Sequence, residues 1–182
     1  MDDDAVLMRE AAGGDQNAFA TLVERYRVRA VNFAYRFLGD HQAAEDVAQE
    51  AFVRAYQSRH RYRPAATFAT WFFRILSNLC LNEVRRRKRQ GLVFGPPNAA
   101  TTATPDPSAS PDAQYEQQEL GTAVRRALAA LPEKQRLAVI LQRYEDMDYE
   151  QIGRIIGASR GAVDGLLSRA KGTLRQELSN YF

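Results

Sequence analysis

Asp148-Tyr149-Glu150-Gln151-Ile152-Gly153-Arg154-Ile155-Ile156-Gly157-Ala158-Ser159-Arg160-Gly161-Ala162-Val163 is the stretch whose reading decides the fold. Asp148 with Gln151 three residues on is a capping box, so a helix is expected over 149–156. Gly157-Ala158 interrupts it, and Ser159 can cap a second helix over 160–178. Val163, Leu166, Leu167, Ala170 and Leu174 recur at helical spacing and would hold that second helix to a core. Two helices joined by so short a turn have helix-turn-helix form. In a DNA-binding version the second helix presents its first turns to the major groove. Arg160, Asp164, Ser168, Lys171 and Arg175 lie off the apolar stripe and are the candidate contacts. The cations suit phosphate or guanine, and Asp164 could accept from cytosine N4, though it would repel a phosphate. An ordinary helical hairpin fits the same residues.

Working outward, a helix over about 115–130 precedes this unit, and another starts at Pro132 and runs to about Tyr144. Residues 91–113 hold five of the chain's seven prolines and almost no apolar residue after Phe94. Such a composition buries too little surface to offset chain entropy, so a flexible linker is expected, reaching roughly 75 Å when stretched. Upstream, Phe19, Leu22, Val23, Tyr26, Ala30, Phe33 and Phe37 share one face of a long helix that starts at Asp15 and stops at Gly39. Asp40 caps a second helix with Ala44, Val47, Ala48, Ala51, Phe52 and Ala55 inward. A third begins near Thr67 with Phe68, Trp71, Phe72, Ile75, Leu76 and Leu79 inward, and a short helix over 4–12 packs across them. No strand pattern is visible. The expected fold is all-α: two small helical domains, 1–90 and 114–182, joined by the 91–113 linker, the second a helix-turn-helix.

The 182 residues are 45% hydrophobic and 26% charged, as in a packed globular protein. A lone cysteine, Cys80, and two histidines leave no internal disulfide and no metal cluster, and no cofactor is implied. An acidic start and the absence of a long apolar run argue against a leader and against membrane insertion, so a cytoplasmic setting is expected. Residues 1–53 carry ten acids and five Lys/Arg, whereas residues 54–89 carry ten Lys/Arg and one acid. Two different partners on adjoining surfaces are implied, one of them a polyanion.

The basic segment interleaves Arg59, Arg61, Tyr62 and Arg63 with Phe68, Trp71, Phe72 and Phe73, the cation-and-ring mixture that single-stranded nucleic acid needs. Most of these rings are assigned to the core, and Tyr62 and Phe73 are expected to be exposed. Asn78 and Asn82, one turn apart, can both project from one helix face as base-edge readers. Arg85, Arg86, Arg87, Lys88 and Arg89 make a cationic helix end, which also complements the helix dipole. Glu45, Asp46, Gln49 and Glu50 form an acidic-amide face that suits a basic protein partner or, on charge alone, solvent. No phosphate loop, nucleophile elbow or paired buried carboxylates are present, so no catalytic residue is assigned and an enzyme is not expected.

Asp-Val-Ala-Gln-Glu-Ala-Phe at 46–52 resembles the polymerase-binding signature of the sigma-70 family. It is followed in that family's order by Phe-Ala-Thr-Trp-Phe-Phe-Arg-Ile-Leu-Ser-Asn at 68–78, a linker, Leu-Pro-Glu-Lys-Gln-Arg at 131–136 and the 148–163 stretch. With two folded domains the chain is similar to the compact extracytoplasmic-function group. The resemblance implies an RNA polymerase sigma factor that brings core polymerase to specific promoters and assists DNA melting. It implies that Asp46, Gln49 and Glu50 face the largest polymerase subunit and that the 57–67 loop accepts a flipped base. Arg61, Tyr62, Arg63, Phe73, Asn78, Asn82, Arg85 and Arg86 would serve the minus-ten element. Arg160, Asp164, Ser168, Arg169 and Lys171 would serve the minus-thirty-five element. It further implies a linker threading toward the RNA exit path and an inhibitory anti-sigma partner gripping both domains.

Two departures stand out. Where the family commonly places a basic residue, a serine and an arginine after the Gly-Thr-Val segment, this chain has Asp164, Gly165 and Leu166, which implies an altered preference. Gly165 also weakens its helix by about 1 kcal/mol relative to alanine. Phe73 stands where tyrosine is frequent. A stand-alone helix-turn-helix regulator would explain 131–178 but not the aromatic-basic helix or the 46–50 face. A helical adaptor, with the motifs as plain core, is the remaining alternative.

Overall fold

The computed structural model describes residues 3–63, 65–91, 111–179 and 181, with only the backbone of 111–118. Among them are eight α-helices and no strand: α1 (Asp3–Ala12), α2 (Gln16–Leu38), α3 (His41–Gln57), α4 (Phe68–Arg89), α5 (Pro111–Ala130), α6 (Glu133–Tyr144), α7 (Tyr149–Ile156) and α8 (Arg160–Glu177), with a 3-10 turn at Arg59–Arg61 before α4. The all-α expectation holds, in two groups, α1–α4 and α5–α8. Most of the expected linker lies outside the described residues, but its last three residues already belong to α5. Pro111, with its fixed φ and no N–H to leave unpaired, fits a first helical position. Pro132 sits before α6 as its N-cap residue, at φ −53° and ψ 146°, rather than inside the helix.

Short polar side chains set the helix starts. Asp15 accepts from the Asn17 and Ala18 N–H groups, Asp40 from Ala43, Thr67 from Thr70 and Ser159 from Ala162. At α7 the capping box is complete: Gln151 N–H donates to Asp148 Oδ1 at 2.8 Å and Asp148 N–H to Gln151 Oε1 at 3.0 Å. Each such cap satisfies a backbone donor that has no partner within the helix and stabilises by ~1 kcal/mol. Gly39 ends α2 in the left-handed region, φ 71°. The tight helix-turn-helix corner depends on Gly153, where an added Cβ would lie 2.5 Å from the Ala158 carbonyl oxygen.

Met8, Leu22, Phe33, Phe37, Phe68, Phe72, Phe73 and Leu76 are fully buried between α1 and α4. The same apolar cluster continues into Leu137, Ile140, Leu141, Ile152, Val163 and Leu167 of the second group. The two groups are therefore docked. Arg136 donates from Nη1 to the Phe37 carbonyl at 2.8 Å and from Nη2 to the Ala129 and Leu131 carbonyls. Arg29 Nη2 lies 2.8 Å from Glu145 Oε2. Burial pushes the Glu145 carboxyl above the usual carboxylate range, and Arg29 partly pulls it back.

Candidate functional site

α3 presents the acidic face. Ala43, Ala44, Ala48, Ala51 and Ala55 are buried, small enough to let neighbouring helices approach closely, which turns Glu45, Asp46, Gln49 and Glu50 outward. Asp46 accepts from Gln42 Nε2 at 3.1 Å and Glu50 from Arg54 Nε at 2.7 Å. Exposed pairs at this spacing are worth ~0.3–0.5 kcal/mol, weak enough for a partner's cation to displace them. Val53, 44% exposed, lies one turn beyond Gln49 and Glu50. An acidic face with an apolar spot suits a protein surface better than water alone. A single valine after a run of acids gave no sequence signal for this.

α4 presents a different chemistry. Arg74, Asn78, Asn82 and Arg85 are all exposed, spaced four, four and three residues apart along one side. Arg85 Nη1 donates to Asn82 Oδ1 at 3.3 Å, so these two act together. Arg74 and Asn78 have no hydrogen-bond or ion-pair partner among the described residues. Arg74 was missed from sequence, although its spacing of four before Asn78 was the available signal. Arg61 and Arg63 are exposed in the loop before α4, Arg63 donating to the His60 and Tyr62 carbonyls. Arg86 is committed to Glu83, at 2.7 Å, and to Gln90. The hydrogen bond from Arg86, followed by that from Arg87, holds the Glu83 carboxyl below its ordinary range.

The expectation that Phe73 and Tyr62 are exposed is wrong. Phe73 is fully buried, edge-on to Phe33 at 5.2 Å and to Phe72 at 5.8 Å. α4 packs against α2, α3 and α7, so its buried face is broader than one apolar stripe. Tyr62 is 9% exposed, edge-on to Trp71, with its hydroxyl donating to the Ala66 carbonyl at 3.1 Å. Neither ring offers an open face for a base in this arrangement. Trp71 is half-buried. Arg59, expected among the cations beside rings, lies over Tyr56 at 4.1 Å and donates to the Ala11 carbonyl, a bracing role.

The helix-turn-helix places every candidate of α8 at the surface: Arg160, Asp164, Ser168, Arg169 and Lys171 are exposed, while Val163, Leu167 and Ala170 are buried. α7 lies against α4, with Gln151 Nε2 donating to Thr70 Oγ1 and Arg154 Nη1 to the Ala65 carbonyl, both at 3.3 Å. The start of α4 is thus covered, whereas the α3 face and the first turns of α8 are open. No group of three metal-ligating side chains occurs among the described residues, and none of their helices is long and apolar enough to cross a membrane.

Residues 22–90 match the family description Sigma-70 region 2, and residues 121–174 match Sigma-70, region 4. The chain is 36% identical to the ECF RNA polymerase sigma factor SigE of Mycolicibacterium smegmatis over 173 residues, covering 93% of this chain and 66% of that one. It is 30% identical to the ECF RNA polymerase sigma factor SigW of Bacillus subtilis over 182 residues, covering 94% of each. Among solved structures it superimposes on CnrH, determined in complex with the cytosolic domain of CnrY, with a TM-score of 0.75 and 26% identity, over 98% of this chain and 99% of that one. The sigma factor RpoE of Bartonella quintana, determined with the anti-sigma factor NepR, superimposes with a TM-score of 0.71 and 25% identity, over 88% and 96%.

Proposed function

The chain belongs to the extracytoplasmic-function group of the sigma-70 family and is an RNA polymerase sigma factor, and from that premise we propose a division of labour among three of its surfaces. The α3 face of Asp46, Gln49 and Glu50, with Val53 at its edge, docks on a basic surface of core polymerase. The α4 side of Arg74, Asn78, Asn82 and Arg85, helped by Arg61 and Arg63, holds the minus-ten element as an unpaired strand. The exposed turns of α8 enter the major groove at the minus-thirty-five element. The observation that carries this reading is that carboxylates and cations occupy separate exposed faces of consecutive helices, α3 and α4. A polyanion and a basic protein surface can then be held at once without competing for the same side chains.

Asparagine amides both donate and accept, so Asn78 and Asn82 are equipped to read base edges. Arg74 and Arg85 follow the backbone electrostatically. Extruding a base costs a few kcal/mol, which pocket and ring contacts must offset. With Tyr62 and Phe73 closed, Trp71 is the ring nearest to availability. We further assign the chain 1–90 and 114–182 as its two working units, a cytoplasmic site of action, and an anti-sigma partner of the kind bound by the solved relatives.

Transcription reconstituted with core polymerase and the Asn78→Ala, Asn82→Ala double variant tests the α4 assignment. Promoter selectivity is expected to fall several-fold while affinity for polymerase is retained. Unchanged promoter preference overturns that assignment.

A further inference from the structure

We propose that Asp164 is a specificity-determining residue of the upstream promoter element, selecting cytosine at one position by accepting a hydrogen bond from its N4 amine. The inference deepens the reading that α8 enters the major groove and rests on it. Asp164 lies in the second turn of α8, directly after Val163, which is fully buried. The anchored neighbour fixes the side of the helix on which the carboxylate stands. It is exposed, and it has no ion-pair or hydrogen-bond partner among the described residues, although Arg160 and Ser168 stand four residues to either side. The other charges of α8 before its last residue, Glu177, are Arg160, Arg169, Lys171 and Arg175. A free carboxylate thus stands alone within a cationic surface.

Bulk near it is low. A Cβ on Gly161, one turn before, would meet nothing within 4 Å, and the nearest atoms to one on Gly165, the next residue, belong to the Arg169 guanidinium, 3.3 Å away. Neither glycine is demanded by packing against the core. Both lie on the same flank of Asp164, where the helix surface is bare at Gly161 and carries the Arg169 guanidinium over Gly165. On that flank the short aspartate has only a flexible cation beside it as it meets a base edge.

The chemistry of the acceptor selects the base. An ionised carboxylate accepts and cannot donate. In the major groove the base donors are cytosine N4 and adenine N6, and adenine places its N7 acceptor beside N6, where a carboxylate is repelled. Cytosine is left as the complementary base. Arg160 and Lys171 supply the positive charge that keeps the acid from being expelled by phosphates on either side.

The test is run-off transcription by the full chain with core polymerase on a promoter library randomised in the upstream element, with the transcribed members sequenced. The wild type is expected to enrich cytosine at one upstream position roughly fivefold or more, and Asp164→Ala to flatten that position. Asp164→Asn is expected to move the preference to adenine, because an amide pairs with N6 and N7 together. An unchanged cytosine preference in both variants overturns the proposal, as does stronger transcription by Asp164→Ala from every member with the same preference, which marks simple repulsion. A wild type that transcribes with no upstream preference overturns it while leaving the sigma-factor reading intact. No transcript from any member overturns the major-groove reading and the proposal with it.

Discussion

Phe73 and Asp46 illustrate how differently a residue's surroundings can be read from its neighbours. Asp46 was placed outward because the alanines and Val47 around it share the opposite side of a helical wheel, and it is exposed. Phe73 falls outside the apolar stripe of its helix and is expected outward, yet Phe33 and Phe72 enclose it and the Arg29 guanidinium stands 5.5 Å from its ring. Removing that ring should leave a cavity that the surrounding aromatics cannot fill. Phe73→Ala is therefore expected to destabilise the fold by ~3–5 kcal/mol in denaturant unfolding, the range for truncating a buried phenylalanine. A loss below about 0.5 kcal/mol, the range of an ordinary surface substitution, would contradict its place in the core. Tyr62 differs in kind: its hydroxyl is held by the Ala66 carbonyl, so it braces the loop that leads into α4.

At the scale of elements, what the sequence states locally is what proved legible. Asp15, Asp40, Thr67, Asp148 and Ser159 each begin the helix expected of them, because a cap involves residues within one turn of each other. What was not legible depends on contacts far apart in the chain. Sequence periodicity finds one apolar stripe on α4, whereas Phe73 is closed in by Phe33 and Arg29 of α2, about forty residues earlier. The basic end of α4 is a further case. Five consecutive cations make a cationic helix end in the sequence, and within the fold Glu83 takes Arg86 and Arg87, while Arg87 reaches Asp40 at the start of α3. Because the folded protein holds the Glu83 carboxyl below its ordinary range, its stabilising contribution is present above that range and is lost as pH falls through it and below. Glu83→Gln should flatten the acid limb of the stability–pH curve measured by thermal unfolding. An unaltered acid limb would show that these pairs add nothing to the fold.

For the molecule as a whole, docking decides which surfaces are open at the same time. Arg136 and Glu145, both largely buried, tie the helix-turn-helix group to α2, and Lys88 pairs with Glu133 at 2.6 Å. Truncating Arg29 would leave the buried Glu145 carboxylate uncompensated, so these polar contacts add to the apolar cluster that joins the two groups. In this arrangement α7 covers the start of α4, and the acidic face of α3 remains free. On the proposed division of labour, docking through α3 needs no movement of the described helices, and Arg74, Asn78, Asn82 and Arg85 are likewise exposed, while α7 lies against Thr70 and Ala65 at the start of α4. The two ends of the chain were legible as separate helical groups, but their junction was not, since Arg29, Phe37 and Thr70 carry no mark of their distant partners. The most direct test is the equilibrium affinity of purified core polymerase for the Asp46→Lys, Glu50→Lys chain, with helicity and thermal unfolding measured on the same sample. The account predicts loss of binding by at least about a hundredfold, as reversing two charges at a docking face should produce, with the fold unchanged. Binding equal to that of the wild type would contradict it.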